Sequence, residues 1–392
     1  MTGCTSIHWL KIFTRFLRLG CTSFGGPIAH IGIFRREFVE KDKLIFDEDY
    51  ASLVALSQVI PGPTSSQVGV GLGFNLGGIK GAIAAWSGFT FPSLIIMVIA
   101  ALWVLQGGSF GAGWLIAAMK IVAVGVVTQA LLGMWYQLCT DRETKITALI
   151  AAVIFYVFPT ALTQVALIGI ALIIGLSLKG TDEDQGFVFD RSKSQVVGIV
   201  SLVIWIVLIS TSVLFESDSP WIMLLTGNVL SGGLVFGGGH VVLPLLEAKF
   251  VPPIDITSFL AGYGVAQAVP GPLFSFAAFI GTILLPESLG WAAIIAVMAI
   301  FLPGMVLMVA VMSVGQPMIG LKQQLMFVNA VVVGLLLAVL VNPIFTQSVY
   351  SGFTTCLAIL GLLMTVVFKR SPVELVVVIT MLSYAGHLAG YL

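Results

Sequence analysis

Gln58-Val59-Ile60-Pro61-Gly62-Pro63-Thr64-Ser65-Ser66-Gln67 decides the fold, because its pattern is written a second time as Gln267-Ala268-Val269-Pro270-Gly271-Pro272-Leu273-Phe274-Ser275. Two prolines around a glycine remove two amide donors and admit dihedrals that a helix does not use, so neither stretch can run through as continuous helix. The repetition extends outward at a constant offset. Pro61 and Pro270, Ser66 and Ser275, and Gly125 and Gly334 are each separated by 209 residues, and Phe91-Pro92 and Leu302-Pro303 fall close to the same register. Phe24-Gly25-Gly26-Pro27 followed by His30 has its counterpart in Phe236-Gly237-Gly238-Gly239 followed by His240. An internal duplication with matched helix breaks is the pattern of a secondary transporter.

Composition says which solvent this duplicated chain meets. Of its 392 residues 58% are hydrophobic and 9% charged, with a mean hydropathy of +1.08, whereas a soluble domain carries roughly a quarter charged residues. Stretches such as 83–119 and 319–367 hold almost no ionisable group and can hide only in lipid or against other membrane helices. Lys11, Arg15 and Arg18 interrupt the apolar residues of the start, so no cleaved signal peptide is expected. The formal net charge is zero and no basic run occurs, which argues against a nucleic-acid partner. Cys4, Cys21, Cys139 and Cys356 are scattered, with no C-x-x-C pair, so neither a disulfide, a metal nor a cofactor is expected. A membrane-embedded enzyme would want clustered acids or histidines at a membrane edge. The acids at 47–49 and 182–184 lie instead in loops.

The polar stretch 179–195 reads as a cytoplasmic linker dividing a first repeat, 1–178, from a connecting helix, 196–214, and a second repeat, 215–392. Six apolar segments fall in the first repeat (9–34, 50–74, 82–105, 114–138, 146–158, 160–178) and six in the second (221–246, 256–284, 291–313, 323–342, 350–368, 373–391). The expected fold is an all-α integral membrane protein with an inverted-topology repeat of two homologous helical halves, about 13 membrane segments arranged 6+1+6. An odd number of crossings separates the repeats, and parity turns one over with respect to the other. Basic loop residues belong in the cytoplasm. That rule holds along the whole chain only when the FGG and PGP segments re-enter as hairpins, which leaves nine full crossings and a cytoplasmic N-terminus in the cell membrane.

A helix break at membrane depth is tolerated where it is buried in protein or lines a watery cavity, so breaks written twice point at a permeation site. The helix that opens after each break offers unsatisfied amides and a positive dipole end, both of which attract anions. The candidate binding residues of the first repeat are Gly25, Gly26, Gln58, Pro61, Gly62, Pro63, Thr64, Ser65 and Ser66. Those of the second are Gly237, Gly238, Gly239, Gln267, Pro270, Gly271, Pro272 and Ser275. Paired breaks favour this site over simple kinks, although each motif alone reads as packing. His30 and His240 read as packing or capping residues first and as proton carriers second. Arg35 and Arg36 are either positive-inside anchors or an anion-attracting vestibule, with Glu247 and Lys249 at the corresponding place. Lys120 reads as a snorkelling lysine, and its match with Asn329 at the 209-residue offset makes both candidates for lining a cavity or gating it.

FGGPIAHIGIFRRE with QVIPGPTSSQVG, and FGGGHVVLPLLE with AQAVPGPLFSFAAFIG, FLPG and NAVVVG, resemble the chromate ion transporter family in its long-chain, two-domain form, over nearly the whole chain. The resemblance implies export of chromate from the bacterial cytoplasm, chromate resistance, and sulfate as a competing or carried oxyanion. It also implies that the motif positions, including His30 and His240, are the functional ones. The chain departs from the asparagine motif in the first half, where Lys120-Ile121 stands opposite Asn329-Ala330. Expected partners are the oxyanion and membrane lipid, and the sequence leaves a homodimer open. An anion channel is the nearest alternative, since the same cage without alternating access would conduct.

Overall fold

The computed structural model describes residues 7–106, 113–177, 195–215, 217–236, 239–288, 290–314 and 325–392, which form helices and turns and no strand. Nearly all of the expected linker, 179–195, and Gly237 and Gly238 lie outside these residues. In the first repeat the helices are α1 (Trp9–Thr22), α2 (Gly26–Arg35), α3 (Asp47–Val59), α4 (Thr64–Leu105), α5 (Gly113–Leu138), α6 (Arg142–Val157) and α7 (Ala161–Ser177). The connecting helix is α8 (Gln195–Leu214). The second repeat contributes α9 (Pro220–Gly233), α10 (Val242–Phe250), α11 (Ile256–Ala268), α12 (Phe276–Leu284), α13 (Gly290–Val314), α14 (Met326–Val339), α15 (Gly352–Leu362) and α16 (Pro372–Leu388). Among the described residues, five helical stretches are long and apolar enough to cross a bilayer: Thr64–Leu105, Gly113–Leu138, Gln195–Leu214, Gly290–Val314 and Met326–Ser348. The apolar outer faces of such helices, with Ile99, Val196 and Leu214 exposed, need lipid to cover them.

Every broken segment folds back on itself. In the first, α1 and α2 meet through the rings of Phe16 and Phe34, 5.4 Å apart and each nine residues from Gly25. A salt bridge from Arg15 to Asp42 joins the chain again further along. Between α3 and α4, a β-carbon placed on Gly71 would lie 2.8 Å from Leu53 Cδ2, so residues equally far from Gly62 are neighbours. The second repeat copies both hairpins: Gly262 lies against the Phe279 ring, and Gly227 against Phe250. The 42 residues of α4 would measure about 63 Å as straight helix, twice the bilayer core. Non-helical dihedrals at Gly77 and Gly78 divide it. The limb before the bend reverses onto the limb after it, and a β-carbon on Gly73 would lie 2.3 Å from Gly81 O.

The two repeats are interleaved in space. α5 of the first packs on α11, α15 and α16 of the second, while α14 packs on α6 and α7. Small residues allow these close approaches: a β-carbon on Gly334 would lie 2.2 Å from Ala148 O, and one on Gly264 would lie 2.2 Å from Met119 O. Backbone contact through small residues is how helices associate in lipid, where the hydrophobic effect between them is weak. α13 likewise packs on α4 as well as on α8 and α9.

Candidate functional site

The four turns meet, and each PGP turn is held by the other repeat. Gly62 N donates to Val235 O at 2.7 Å, one residue before Phe236, and Gly271 N donates to Ser23 O at 2.9 Å, one residue before Phe24. The partners are equivalent by repeat and exchanged between repeats. The same exchange recurs at the proline helices. A β-carbon on Gly62 would lie 2.9 Å from Gly304 Cα, next to Pro303, and one on Gly271 would lie 3.1 Å from Ser93 Oγ, next to Pro92. Gly62 (φ +137°) and Gly271 (φ +99°) adopt backbone that side chains oppose, so glycine is required by dihedral at both and by space at Gly62 as well. Gly239 closes the circle: its β-carbon would lie 3.4 Å from Pro27 Cγ and 3.5 Å from Leu273 Cδ2.

At the first PGP turn, α4 opens on Pro63 with no side-chain cap. Its first backbone bond is Gln67 N to Pro63 O, which leaves the amides of Thr64, Ser65 and Ser66 ahead of any helical acceptor. All three residues are buried, at 8%, 3% and 2% exposure. Ser66 Oγ and Ser23 Oγ are buried and have no hydrogen-bond partner among the described residues. An unmatched buried donor costs about 1–3 kcal/mol, so several together strongly favour an acceptor-rich ligand.

His30, 1% exposed, sits between two turns. Its Nε2 lies 3.2 Å from Ser23 O, and its Nδ1 lies 3.3 Å from Ser65 Oγ. A carbonyl can only accept, so Nε2 carries the proton and donates, and the Ser65 hydroxyl donates to Nδ1. The imidazole therefore ties the FGG turn to the start of α4 while packing edge-on against Phe89. His240 does different work: its Nδ1 meets Tyr263 Oη of α11 at 2.9 Å.

The other candidates separate. Pro61, Pro63, Pro270 and Pro272 frame the turns, with Gly25 and Gly26 at the start of α2. Ser275 is buried and donates its hydroxyl to Pro272 O at 2.8 Å. Gln267 is half-buried with Nε2 unpartnered among the described residues, whereas Gln58 is exposed. Arg35 donates to Asp47 Oδ1 at 2.8 Å and to Glu40 at 2.5 Å, so carboxylates take up its charge in the connection between hairpins. That guanidinium holds the Asp47 carboxyl below its ordinary value. Arg36 is exposed, and Glu247 is half-buried on α10. Lys120 is buried on α5 with its ammonium 5.6 Å from the Tyr350 ring centroid, and Asn329 on α14 keeps a buried Oδ1 with no partner among the described residues. No group of three metal-ligating side chains occurs among the described residues.

Gln67 escaped the sequence reading as a site residue. Its Nε2 donates to Pro61 O at 2.8 Å and reaches Gly304 O at 3.4 Å, bracing the turn against α13. Its place one turn after a double-proline break is the signal that could have found it. Beside this turn lies an apolar crevice of about 370 Å³ that includes Pro61, Phe236, Trp205, Leu202 and Leu172 in its wall.

Buried broken helices meeting among long apolar helices define a multi-pass membrane protein of the transporter class. The chain belongs to the chromate transporter family, whose pattern it matches over residues 10–176 and again over 222–387. It is 27% identical over 346 residues to an uncharacterized transporter of Methanocaldococcus jannaschii, covering 85% of this chain and 84% of that one. It is 27% identical to the chromate transport protein of Cupriavidus metallidurans (77% and 75% covered) and 24% identical to that of Pseudomonas aeruginosa (69% and 65% covered). No solved structure matches it.

Proposed function

We propose that the protein exports chromate or a closely similar oxyanion such as sulfate from the cytoplasm, through the junction of its four turns, and so confers chromate resistance. The observation that carries this reading is the uncapped, buried start of α4 beside the exchanged contacts of Gly62 with Val235 and Gly271 with Ser23. Such an end presents amides and a positive dipole to an anion without a buried lysine. The relatives named chromate transport proteins support the choice of oxyanion. The two repeats are inserted in opposite senses, related by a pseudo-twofold axis through the junction, with nine full crossings and the N-terminus in the cytoplasm. The exchanged, matched contacts support that symmetry, because each contact of one repeat has its equivalent from the other.

Membrane potential supplies the drive. Moving one charge through 100 mV is worth about 2.3 kcal/mol, and a dianion leaving an inside-negative cell gains roughly twice that. Chromate uptake into inverted vesicles is expected to rise when valinomycin sets the corresponding potential and to saturate with substrate. Insensitivity to potential sinks electrogenic export, and linear flux points to a channel. Chromate tolerance of sensitive cells is expected to disappear with Pro61→Ala combined with Pro270→Ala, and unchanged tolerance would reduce both breaks to kinks.

A further inference from the structure

We infer that the protein binds one oxyanion at a time, and that the start of α4, in the first repeat alone, is where it is held. The inference rests on the transport reading above and goes further by making the duplicated site one-sided. At the repeat offset Leu273 stands for Thr64, Phe274 for Ser65, Ser275 for Ser66 and Phe276 for Gln67. The first turn thus opens on hydroxyls and the second on apolar side chains.

Backbone geometry widens the difference. α4 begins as α-helix at Thr64, leaving three successive buried amides unclaimed by any described residue. The second turn tightens into a 3-10 turn over Leu273–Ser275, so that Ser275 N is already taken by Pro272 O and Phe276 N by Leu273 O. The one matched hydroxyl is also spent there, because Ser275 Oγ donates to Pro272 O, while Ser66 Oγ has no partner among the described residues. Ser23 Oγ, fully buried on the adjoining FGG turn, is unpartnered as well and gives a second observation from a separate element.

His30 decides which hydroxyls are offered. The Ser65 hydroxyl donates to its Nδ1 and is thereby withdrawn, so the oxyanion meets the amides of Thr64, Ser65 and Ser66 and the hydroxyl of Ser66. The donors are neutral, and the ligand class is a small oxyanion whose oxygens can each accept. The second turn, with Leu273 against Gly239, forms the dry wall of the same junction.

The test is equilibrium dialysis of radiolabelled chromate, and separately of sulfate, against the purified full-length protein in detergent. One anion is expected per chain. Ser66→Ala is expected to weaken binding at least tenfold and Ser275→Ala to change it less than twofold, with both variants keeping wild-type helicity and melting temperature. If Ser66→Ala fails to fold, Ser66→Cys, which keeps the size but weakens the donor, is expected to show the same loss in lesser degree. Two anions per chain, or equal losses at Ser66 and Ser275, overturn the inference and leave transport standing. A wild-type protein that binds neither anion saturably brings down the transport reading with it.

Discussion

The two PGP turns occupy equivalent places in the repeats and are held by different chemistry. At the first, Gln67 reaches back to Pro61 O, His30 anchors Ser65, and the following helix opens with its amides unclaimed. At the second, Phe276 occupies the position of Gln67 and packs at 5.2 Å against Phe259 and 5.9 Å against Phe279, with Tyr263 close by. Hydrogen bonding directs groups toward a ligand, whereas aromatic packing fills space. The difference teaches that duplication preserved the break in both repeats while the backbone that follows it and its polar equipment diverged.

Exchanging the glycines is the harshest way to break the comparison. In Gly62→Ala the new carbon lies 2.4 Å from Gln67 Nε2 and 2.9 Å from Gly304 Cα, at φ +137°. Strain and overpacking together are expected to remove about 3 kcal/mol or more. In Gly271→Ala the nearest atom is Ser93 Oγ at 3.1 Å, a side chain that can give way, and the expected loss is about 2 kcal/mol. Thermal unfolding of the detergent-solubilised proteins should rank them in that order, and the reverse order would contradict the tighter fit of the first turn.

The histidines sharpen the comparison more gently. His30→Ala strips Ser65 Oγ of its acceptor and Ser23 O of one donor, for an expected loss of about 2 kcal/mol. His240→Ala removes the single bond to Tyr263, for about 1 kcal/mol. Beyond stability, His30→Ala should lower chromate transport more than His240→Ala does, measured at equal amounts of folded protein in vesicles.

Smallest of all is the effect expected from Arg35. Its partner Asp47 titrates below the ordinary carboxylate value in the folded protein, so the pairing contributes stability above about pH 4 and loses it as pH falls through the folded value. The pair is exposed and screened by salt. Arg35→Gln should therefore shift melting slightly at neutral pH and low salt, and not at all once Asp47 is protonated or salt is high.

Helix breaks, their pairing and the segment boundaries were legible in the sequence because proline and glycine act locally. The double proline around Gly62 ends α3 at Val59 and starts α4 at Thr64 whatever surrounds it. Loop charge led to the expectation of re-entrant hairpins, while the fold-back itself is seen in the contacts of Phe16 with Phe34 and in the close approaches at Gly71, Gly227 and Gly262. The exchange of turns was not, since a constant offset says which residues are equivalent and nothing about which are adjacent. Neither Val235 nor Ser23 presents a side chain for its contact, only a carbonyl, and a carbonyl leaves no trace in sequence. The reach of Gln67 to Gly304 and the different bonds of His30 to Ser65 and of His240 to Tyr263 likewise follow from neighbours that other helices supply.

The exchanged turns have a consequence for assembly. Were the chain severed between α7 and α8, neither fragment could supply the carbonyl that its own PGP glycine requires, α5 would lose α11, α15 and α16, and α14 would lose α6 and α7. The fragments could become native only by finding one another in the same bilayer. The repeats are thus two copies in sequence and a single cooperative unit in folding.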